Sequence, residues 1–194
     1  NGLGGFAEDG HEYVIVLGKL QYTPVPWINV IANSQIGFLS SESGSGYTWS
    51  LNSRENQLTP WSNDPVCDPI GECFYIHDQD SNELWSPTLS PIRVENAEYL
   101  IRHGQGYSQF ELRNLGIHSV LTQFVPMNKS VKISKLVLRN ESNTKRNLSI
   151  SSYVEWVLGF SRTTTSTYLI TDYDEKSKSL LSYNPWSQEF GKRV

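Results

Sequence analysis

Alternation of apolar or small residues with polar ones dominates the chain. Between Leu148 and Leu158 every second position is apolar or small, and most of the positions between them are polar. A period of two places successive side chains on opposite faces of an extended backbone. The segment therefore predicts a half-buried strand of about ten residues.

The residues just before this strand carry a similar pattern with one irregularity. Val131 and Ile133 alternate, whereas Leu136 and Leu138 continue one position out of phase. A β-bulge would bring both pairs to the same face of the sheet. We therefore expect a bulge near Ser134–Lys135.

Further strands and turns are predicted along the whole chain. The polar stretch 140–146 predicts a hairpin loop between the two strands described above. Gly, Pro, Asn or Asp punctuates most of the other joints, and no amphipathic segment is long enough to predict a helix. The remaining strand candidates are residues 11–17, 27–32, 72–77, 92–101, 108–112, 118–125, 168–171 and 179–182. Many strands at short spacing predict an all-β sandwich or barrel, with residues 1–194 as one domain.

Composition narrows the class of protein. Of the 194 residues, 38% are hydrophobic and 19% are charged, a balance typical of a globular domain with its own core. The net charge of −4 argues against a nucleic-acid partner, since a phosphate backbone requires a basic surface. No apolar run approaches the roughly 20 residues of a membrane-spanning helix. Because the chain opens on Asn1 rather than Met and stops at Val194 as an apolar strand begins, we expect a fragment of a longer protein.

Cysteine, histidine and acidic residues form no recognisable metal or redox motif. Cys67 and Cys73 are expected to be free thiols in a reducing cytoplasm. The run 78–82 begins like a calcium loop but lacks the Gly and Glu that an EF-hand needs at its sixth and twelfth positions. The histidines share no ligand spacing. His103, which lies beside paired glycines, is expected to join strands through buried hydrogen bonds or to bring the backbone close to a neighbouring domain.

Candidate chemistry concentrates in residues 41–68. Aromatic rings there lie among amide, guanidinium and carboxylate groups, which suit a sugar because it offers C–H faces and many hydroxyls. The candidate substrate-binding residues are Tyr47, Trp49, Asn52, Arg54, Glu55, Asn56, Trp61 and Asn63. The alternative is a long ordered loop whose polar groups satisfy one another and whose Trp residues cap a core.

The same run, SESGSGYTWSLNSRENQLTPWSNDPVCD, resembles the N-terminal domain of glycoside hydrolase family 94, formerly glycosyltransferase family 36. Within that family it is most similar to the phosphorylase-type region of cyclic β-1,2-glucan synthases. The resemblance extends in order over almost the whole chain. Its further segments are residues 4–6 (GGF), 9–10 (DG), 12–15 (EYVI), 26–33 (PWINVIAN), 37–38 (GF), 85–88 (WSPT), 102–107 (RHGQGY), 153–156 (YVEW), 184–186 (NPW) and 190–194 (FGKRV).

This resemblance implies a fold and a reaction. The fold is a large two-sheet antiparallel β-sandwich, a galactose-mutarotase-like supersandwich, which precedes an α/α barrel that this chain lacks. Family members are inverting phosphorylases, in which inorganic phosphate attacks the anomeric carbon. Their catalytic acid and phosphate-binding residues belong to the barrel, so the resemblance implies no catalytic residue, cofactor or metal in this chain. Phosphate is then a co-substrate of the parent protein.

A second segment is expected near the substrate by the same resemblance. In cellobiose-type relatives the loop that matches residues 159–167 leans toward the mouth of the barrel. Here the loop is rich in Thr and lacks the amide pattern of those relatives, so their substrate preferences are not transferred. Arg162 is its candidate contact, and the alternative is a surface arginine on a flexible loop.

The function implied is that of a non-catalytic, carbohydrate-associated domain. It would support the catalytic barrel of the same parent chain and contribute to the entrance for a β-glucan oligosaccharide. Two alternatives from other classes are an autonomous lectin-like module and the dimerisation domain of a homodimer. Both a free-standing phosphorylase and a synthase keep this domain in the cytoplasm, and the synthase is anchored in the bacterial inner membrane. The run 53–65 favours the synthase.

Overall fold

Fourteen β-strands and one short helix form residues 2–187, the part of the chain that the computed structural model describes. The strands are β1 (Gly4–Phe6), β2 (Glu12–Leu17), β3 (Ile28–Ala32), β4 (Ile36–Ser41), β5 (Gly46–Ser50), β6 (Glu72–Asp78), β7 (Glu83–Trp85), β8 (Tyr99–Gly104), β9 (Tyr107–Asn114), β10 (Ile117–Phe124), β11 (Ile133–Asn140), β12 (Leu148–Val154), β13 (Ile170–Asp174) and β14 (Ser179–Tyr183). The helix α1 (Arg162–Thr165) has four residues. Every pairing between these strands is antiparallel, so the all-β antiparallel prediction is confirmed. Residues 190–194, which carry the last resembling segment, lie outside the described part.

The largest sheet has six strands in the order β1-β2-β8-β9-β10-β11. The tight turn between β9 and β10 has Leu115 at φ 50° and Gly116 at φ 76°, as a two-residue type I′ hairpin requires. One row of side chains crosses five strands of the sheet through Ile15, Ile101, Phe110, Leu121 and Leu136. The first four are at most 2% exposed, because alternate residues of each strand face the core.

A three-stranded sheet, β12-β6-β7, supplies the other side of this core. Ile76 of β6 and Trp85 of β7 are fully buried in the same cluster as the row described above. Phe74 and Leu148 pack against that cluster from the same sheet. The main core therefore lies between two antiparallel sheets, which is the arrangement of a sandwich.

A second three-stranded sheet, β3-β4-β5, carries most of the candidate residues. Asn29 ties it to the six-stranded sheet, because its side-chain amide donates to the carbonyls of Gly104 and Tyr107 at 3.0 and 2.9 Å. Isolated bridges extend β5 through Gln57 to Gly159. Strands β13 and β14 form a separate two-stranded ribbon.

The bulge predicted near Ser134–Lys135 is wrong. Strand β11 pairs with β10 without interruption over its whole length. Leu136 and Leu138 pack against the core, whereas Val137 lies on the other face and is 46% exposed. Because β11 has apolar residues on both faces, the alternation in its sequence resembles a shift by one residue, as it would at a β-bulge. The strand itself has no bulge.

The hairpin predicted at residues 140–146 is also wrong. Strand β11 belongs to the six-stranded sheet, whereas β12 pairs with β6, so the segment crosses from one sheet to the other. Arg146 fixes the crossing by donating to the Asp78 carboxylate and to the Leu115 carbonyl. The hydrogen bond that Arg146 donates to Asp78 is the main cause that lowers the pKa of this carboxyl to about 2. Alternation identifies strands, but packing selects their partners.

Most other strands occur where the sequence predicts them, with shifts of one or two residues. Strand β12 ends at Val154 rather than at Leu158, and only the last part of 92–101 is a strand. The unpredicted strands are β1, β4, β5 and β7. They are short or rich in Gly and Ser, which carry little β-propensity.

Candidate functional site

An aromatic ladder, formed by Tyr47, Trp49 and Trp61, lies on one face of β5. Tyr47 and Trp49 are two residues apart in the strand, so their rings share a face and their centroids are 5.2 Å apart. Trp61 stacks on Tyr47 at 5.5 Å with an interplanar angle of 23°. Gly37 of β4 makes room for Trp49, since a Cβ there would lie 2.4 Å from the indole. Trp61 is 49% exposed, whereas Tyr47 is buried.

The loop after β5 is shaped by two of the predicted asparagines. The Asn52 side-chain oxygen accepts hydrogen bonds from the backbone N–H groups of Arg54 and Glu55 at 2.9 and 3.0 Å. Asn56 is buried, and its amide donates to the Ser50 carbonyl at 3.0 Å. Both asparagines therefore hold the loop, which leaves Arg54 and Glu55 exposed at its tip.

Tyr47 of β5 also holds this loop, through a hydrogen bond to its backbone. Its hydroxyl donates to the Ser53 carbonyl at 3.3 Å. Burial raises the pKa of this phenol above its ordinary value. Tyr47 therefore acts as a neutral hydrogen-bond donor that links the ladder to the loop.

The second predicted segment lies directly beside this loop. Gln57 and Gly159 exchange backbone hydrogen bonds of 3.0 and 3.1 Å. The Arg54 guanidinium lies over the Phe160 ring, 5.6 Å from its centroid. Arg162 forms a two-point ion pair with the Glu155 carboxylate, through Nε at 2.5 Å and Nη2 at 2.9 Å. We call residues 51–56 and 159–167 the paired loops.

The paired loops present chemistry that can recognise hydroxyl groups. Arg54 and Glu55 form an exposed ion pair with a separation of 3.4 Å. Phe160 is 46% exposed beside them, and the Arg162–Glu155 pair lies on the neighbouring loop. Guanidinium and carboxylate groups donate to and accept from sugar hydroxyls, and an aromatic face suits the C–H surface of a sugar.

Asn63 and Trp61 follow the first of the paired loops in the sequence. Asn63 is exposed and follows Trp61 in the segment that leads from the ladder toward β6. The nine candidate residues therefore divide into three groups. Arg54, Glu55 and Arg162 are on the paired loops, and Trp61 and Asn63 are in the segment between the ladder strand and β6. Tyr47, Trp49, Asn52 and Asn56 support both places.

A buried ionic network behind β5 was not predicted. Lys132 donates to Glu72 at 2.6 Å, and the hydroxyls of Thr48 and Thr59 donate to the same carboxylate at 2.5 and 2.6 Å. Burial alone would raise the pKa of Glu72, but the Lys132 charge and these hydrogen bonds lower it below its ordinary value. Lys132 also lies 4.5 Å from the centre of the Phe38 ring. Lys132, Thr48 and Thr59 therefore provide the buried Glu72 carboxylate with hydrogen-bond donors and with a counter-charge.

Phe160 and Glu155 were also missed as members of the site. Phe160 directly follows Gly159 in the segment that was singled out, and Glu155 occupies a polar position of the predicted strand. Their roles depend on contacts with Arg54 and Arg162, which sequence spacing does not show. A search for aromatic residues inside the Thr-rich loop would have found Phe160.

His103 joins strands as expected. One ring nitrogen lies 3.0 Å from the Ser108 hydroxyl and the other 3.0 Å from the Trp27 carbonyl. Burial lowers the pKa of this imidazole below its ordinary value. The ring is therefore neutral at pH 7 and holds the β8–β9 hairpin to the start of β3.

Residues 2–187 contain neither a metal-binding cluster nor a membrane-spanning helix. No three His, Cys, Asp or Glu side chains in this range converge in a metal-binding arrangement. Cys67 is exposed and Cys73 is buried, and both are free thiols. None of the helices in the same range is long and apolar enough to cross a membrane.

The fold defines the class of protein to which the chain belongs. Two packed antiparallel sheets, extended by a third, form a supersandwich domain with candidate sugar contacts on loops at its edge. Residues 11–194 match the family model for the supersandwich domain of glycosyl hydrolase 94, and the chain belongs to that family. The resemblance noted in the sequence is therefore confirmed.

Proteins similar to this chain are much longer than it is. The cyclic beta-(1,2)-glucan synthase NdvB of Rhizobium meliloti strain 1021 is 41% identical over 195 residues, which cover 98% of this chain and 7% of that protein. The N,N'-diacetylchitobiose phosphorylase of Vibrio proteolyticus is 32% identical over 155 residues, 79% of this chain and 19% of that protein. The solabiose phosphorylase of Paenibacillus borealis is 28% identical over 187 residues, 94% of this chain and 24% of that protein. The chain spans less than a quarter of the length of each.

Proposed function

We propose that this chain is a non-catalytic domain of a glycosyl hydrolase 94 enzyme that acts on β-linked glucose chains. Family membership and the similarity to a cyclic beta-(1,2)-glucan synthase over 98% of the chain support the proposal. In this proposal the domain supports a catalytic α/α barrel of the same longer polypeptide and lines part of its substrate entrance. Inorganic phosphate is a co-substrate of that polypeptide, in the cytoplasm, and this domain needs no cofactor of its own.

The observation that carries the proposal is the meeting of the paired loops. Two segments far apart in sequence place Arg54, Glu55, Phe160 and Arg162 at one edge of the β3-β4-β5 sheet. The side chains are exposed or half exposed, so a substrate can reach them. Their mixture of donors, acceptors and an aromatic ring suits a neutral oligosaccharide rather than an anion or a lipid.

The backbone at the roots of these loops supports a functional role. Leu51 has φ 62° and Leu158 has φ 45°, both in the left-handed region. That region costs an L-residue roughly 1–2 kcal/mol. Strained residues persist where the surrounding structure imposes them, and they concentrate at binding and catalytic sites.

A supporting role needs a surface for the catalytic domain, and the β13–β14 ribbon offers one. Tyr168 and Trp186 have ring centroids 5.7 Å apart and are 46% and 69% exposed. Leu180 is 79% exposed on the same ribbon. Apolar groups that are exposed together favour association, so we infer that the catalytic domain covers this ribbon.

The experiment that tests the proposal uses the longer protein that carries this domain. Phosphorolysis of β-(1,2)-gluco-oligosaccharides is measured as glucose 1-phosphate release. Replacing Arg54 by Ala removes a candidate donor to the substrate hydroxyls, and replacing Phe160 by Ala removes a candidate aromatic face. We take each lost substrate contact as about 0.5–1 kcal/mol at an exposed site. We expect KM to rise roughly two- to fivefold with kcat little changed.

A matched control is Arg139→Ala, which removes an exposed arginine from β11. It should leave KM and kcat at the values of the unmodified protein. Equal kinetics for Arg54→Ala, Phe160→Ala and Arg139→Ala would refute a role for the paired loops at the entrance.

A further inference from the structure

A groove runs along the outer face of the β3-β4-β5 sheet beside the aromatic ladder. Its first part is a cavity of about 200 Å³ with an apolar floor that includes Val25, Ile28 and Leu39. Trp61 and Asn63 line the same cavity. Val25 and Ile28 are 50% and 55% exposed, so the floor is open to solvent.

A second cavity of about 310 Å³ continues the first. The walls of both cavities include Val25, Pro26, Pro65 and Asp68, so the two cavities adjoin each other, and we call them together the groove. Thr23, Ser43 and Arg93 also line the second cavity. The first cavity is smaller than the roughly 300–1,000 Å³ typical of small-molecule sites, the second is at the lower end of that range, and together they give an elongated site.

Several polar groups of this groove are open to a ligand. The Asn63 side chain is exposed and Trp61 is 49% exposed, so a ligand can reach both. Asp68 uses Oδ2 to accept from Ser41 and Ser43 at 2.6 and 2.5 Å, which leaves Oδ1 for another donor. Groups of this kind are expected to bind water or a ligand.

Arg93 adds a buried donor to the wall of the second cavity. Its Nη2 donates to the carbonyls of Gly18 and Gln21 at 2.7 and 3.0 Å. Its Nη1 is buried and has no protein partner. Tyr22 is 66% exposed, and its ring centre lies 4.4 Å from the guanidinium carbon of Arg93.

The charges of the groove favour a neutral ligand, because Glu42 and Asp68 line the second cavity together with Arg93. The carboxylates of Asp64 and Asp68 line the first cavity, and no Lys or Arg lies in its wall. An anion would be repelled there, and a wholly apolar ligand would leave amide and carboxylate groups unsatisfied. A neutral polyol can place C–H groups against Trp61 and hydroxyls against Asn63 and the carboxylates.

We propose that this groove binds a neutral, hydroxyl-rich chain, a β-linked glucan, with Trp61 as its aromatic platform and Asn63 as its main hydrogen-bonding side chain. The choice of glucan rests on the proposed function. The groove itself is defined by cavity shape, exposed indole and accessible polar groups. It adds to the entrance loops a place on the sheet where a glucan chain can be held.

The test is calorimetric titration of the 194-residue chain with linear β-(1,2)-gluco-oligosaccharides. We expect saturable binding that weakens about tenfold in Trp61→Ala and in Asn63→Ala. Because Trp61 also stacks on Tyr47, Asn63→Ala serves as the variant that leaves the ladder intact. Trp186→Ala, which removes another exposed indole outside the groove, should bind like the unmodified chain.

Two outcomes would refute glucan binding in the groove. One is the absence of saturable binding by a folded chain, and the other is an equal loss of affinity in Trp186→Ala. Arg54→Ala separates this proposal from the entrance loops, since it should keep groove binding while it raises KM in the longer protein. If the chain does not bind the glucan but Arg54→Ala raises KM in the longer protein, the proposed function stands without the groove. If the chain binds the glucan but Arg54→Ala leaves KM unchanged, only the groove stands.

Discussion

Gly37 is the residue on which the aromatic ladder most depends. An added Cβ would lie 2.4 Å from Trp49 and 2.7 Å from the Ala32 side chain. Overpacking of this kind costs about 1–3 kcal/mol. We expect Gly37→Ala to lower the melting temperature by roughly 2–4 °C for each kcal/mol, measured by calorimetry.

The control for this substitution is Gly5→Ala in β1. No atom lies within 4 Å of a Cβ at Gly5, so its effect should stay within about 0.5 kcal/mol. Equal melting temperatures for the two variants would show that Trp49 does not occupy the space above Gly37.

Lys132 is the residue on which the buried ionic network depends. Its side chain is 14% exposed and that of Glu72 is 19% exposed. Lys132→Met leaves the Glu72 charge buried without its partner, which costs about 3–5 kcal/mol. Arg113→Met, which breaks an ion pair whose arginine is 59% exposed, should cost at most about 1 kcal/mol.

The pH dependence of the unfolding free energy gives a second test of the effect of Lys132 on Glu72. The pKa of Glu72 is lowered in the folded protein, so its contribution to stability is present above about pH 4.5 and is lost as the pH falls through the folded value. Without Lys132, burial would raise this pKa, and protonation would then stabilise the variant. The difference in unfolding free energy between the two proteins should shrink on acidification, and a constant difference in urea titrations would contradict this account.

The kinds of residue at the candidate site could be predicted, but their exposure could not. Aromatic and amide side chains in residues 41–68 indicated a sugar contact, and Trp61, Arg54 and Glu55 are indeed accessible. Tyr47 and Asn56 have the same chemistry and are buried, because β5 runs through the segment. Gly44 and Gly46 concealed that strand, since glycine weakens the propensity from which strands are predicted.

At the scale of secondary structure, His103 connects the β8–β9 hairpin to the start of β3 through hydrogen bonds with Ser108 and the Trp27 carbonyl. The pKa of His103 is lowered by burial, so below about pH 6.5 the unfolded chain binds a proton that the folded chain does not. Stability should therefore fall as the pH decreases from 7.5 to 5.5, by up to about 1.4 kcal/mol per pH unit.

Thermal melts of two variants test whether His103 causes this pH dependence of stability. His103→Gln removes the titrating ring, so its melting temperature should change less between pH 7.5 and 5.5 than that of the unmodified chain. His11→Gln, at an exposed position outside the core, should keep the original dependence. The same pH dependence in both variants would exclude His103 as its source.

Strand β12 is an open edge of its sheet. It lies at the end of the order β12-β6-β7, and its sequence LSISSYV has no charge and no Pro. Uncharged edges tend to pair with other strands, whereas lysine discourages such pairing. We expect Ser151→Lys to reduce concentration-dependent association, measured by light scattering.

Thr167→Lys adds the same charge on an exposed turn and serves as the control. It should associate like the unmodified chain. An equal reduction in both variants would assign the effect to net charge, and no association in any of the proteins would remove β12 as a route to a homodimer.

Strands were predicted better than their partners. Alternation located β2, β6, β9 and β10 because each has one face in the core. It failed at residues 140–146, where the chain leaves one sheet for another with the help of Arg146 and Asp78, 68 residues apart. A contact at that separation leaves no local pattern in the sequence.

At the scale of the whole molecule, the all-β class follows from patterning, whereas membership of the family follows from the ordered resemblance. No composition or period distinguishes this sandwich from others. The family match over residues 11–194 confirms what the run 41–68 indicated. The contacts among the paired loops, the ladder and the groove required the structure, since they join residues from different parts of the chain.

We propose that this domain serves a reaction whose chemistry lies elsewhere in a longer polypeptide. The most direct measurement is glucose 1-phosphate release from β-(1,2)-gluco-oligosaccharides and inorganic phosphate, with the 194-residue chain and the longer protein assayed side by side. We expect release by the longer protein and none by the 194-residue chain. Release by the 194-residue chain alone would contradict it.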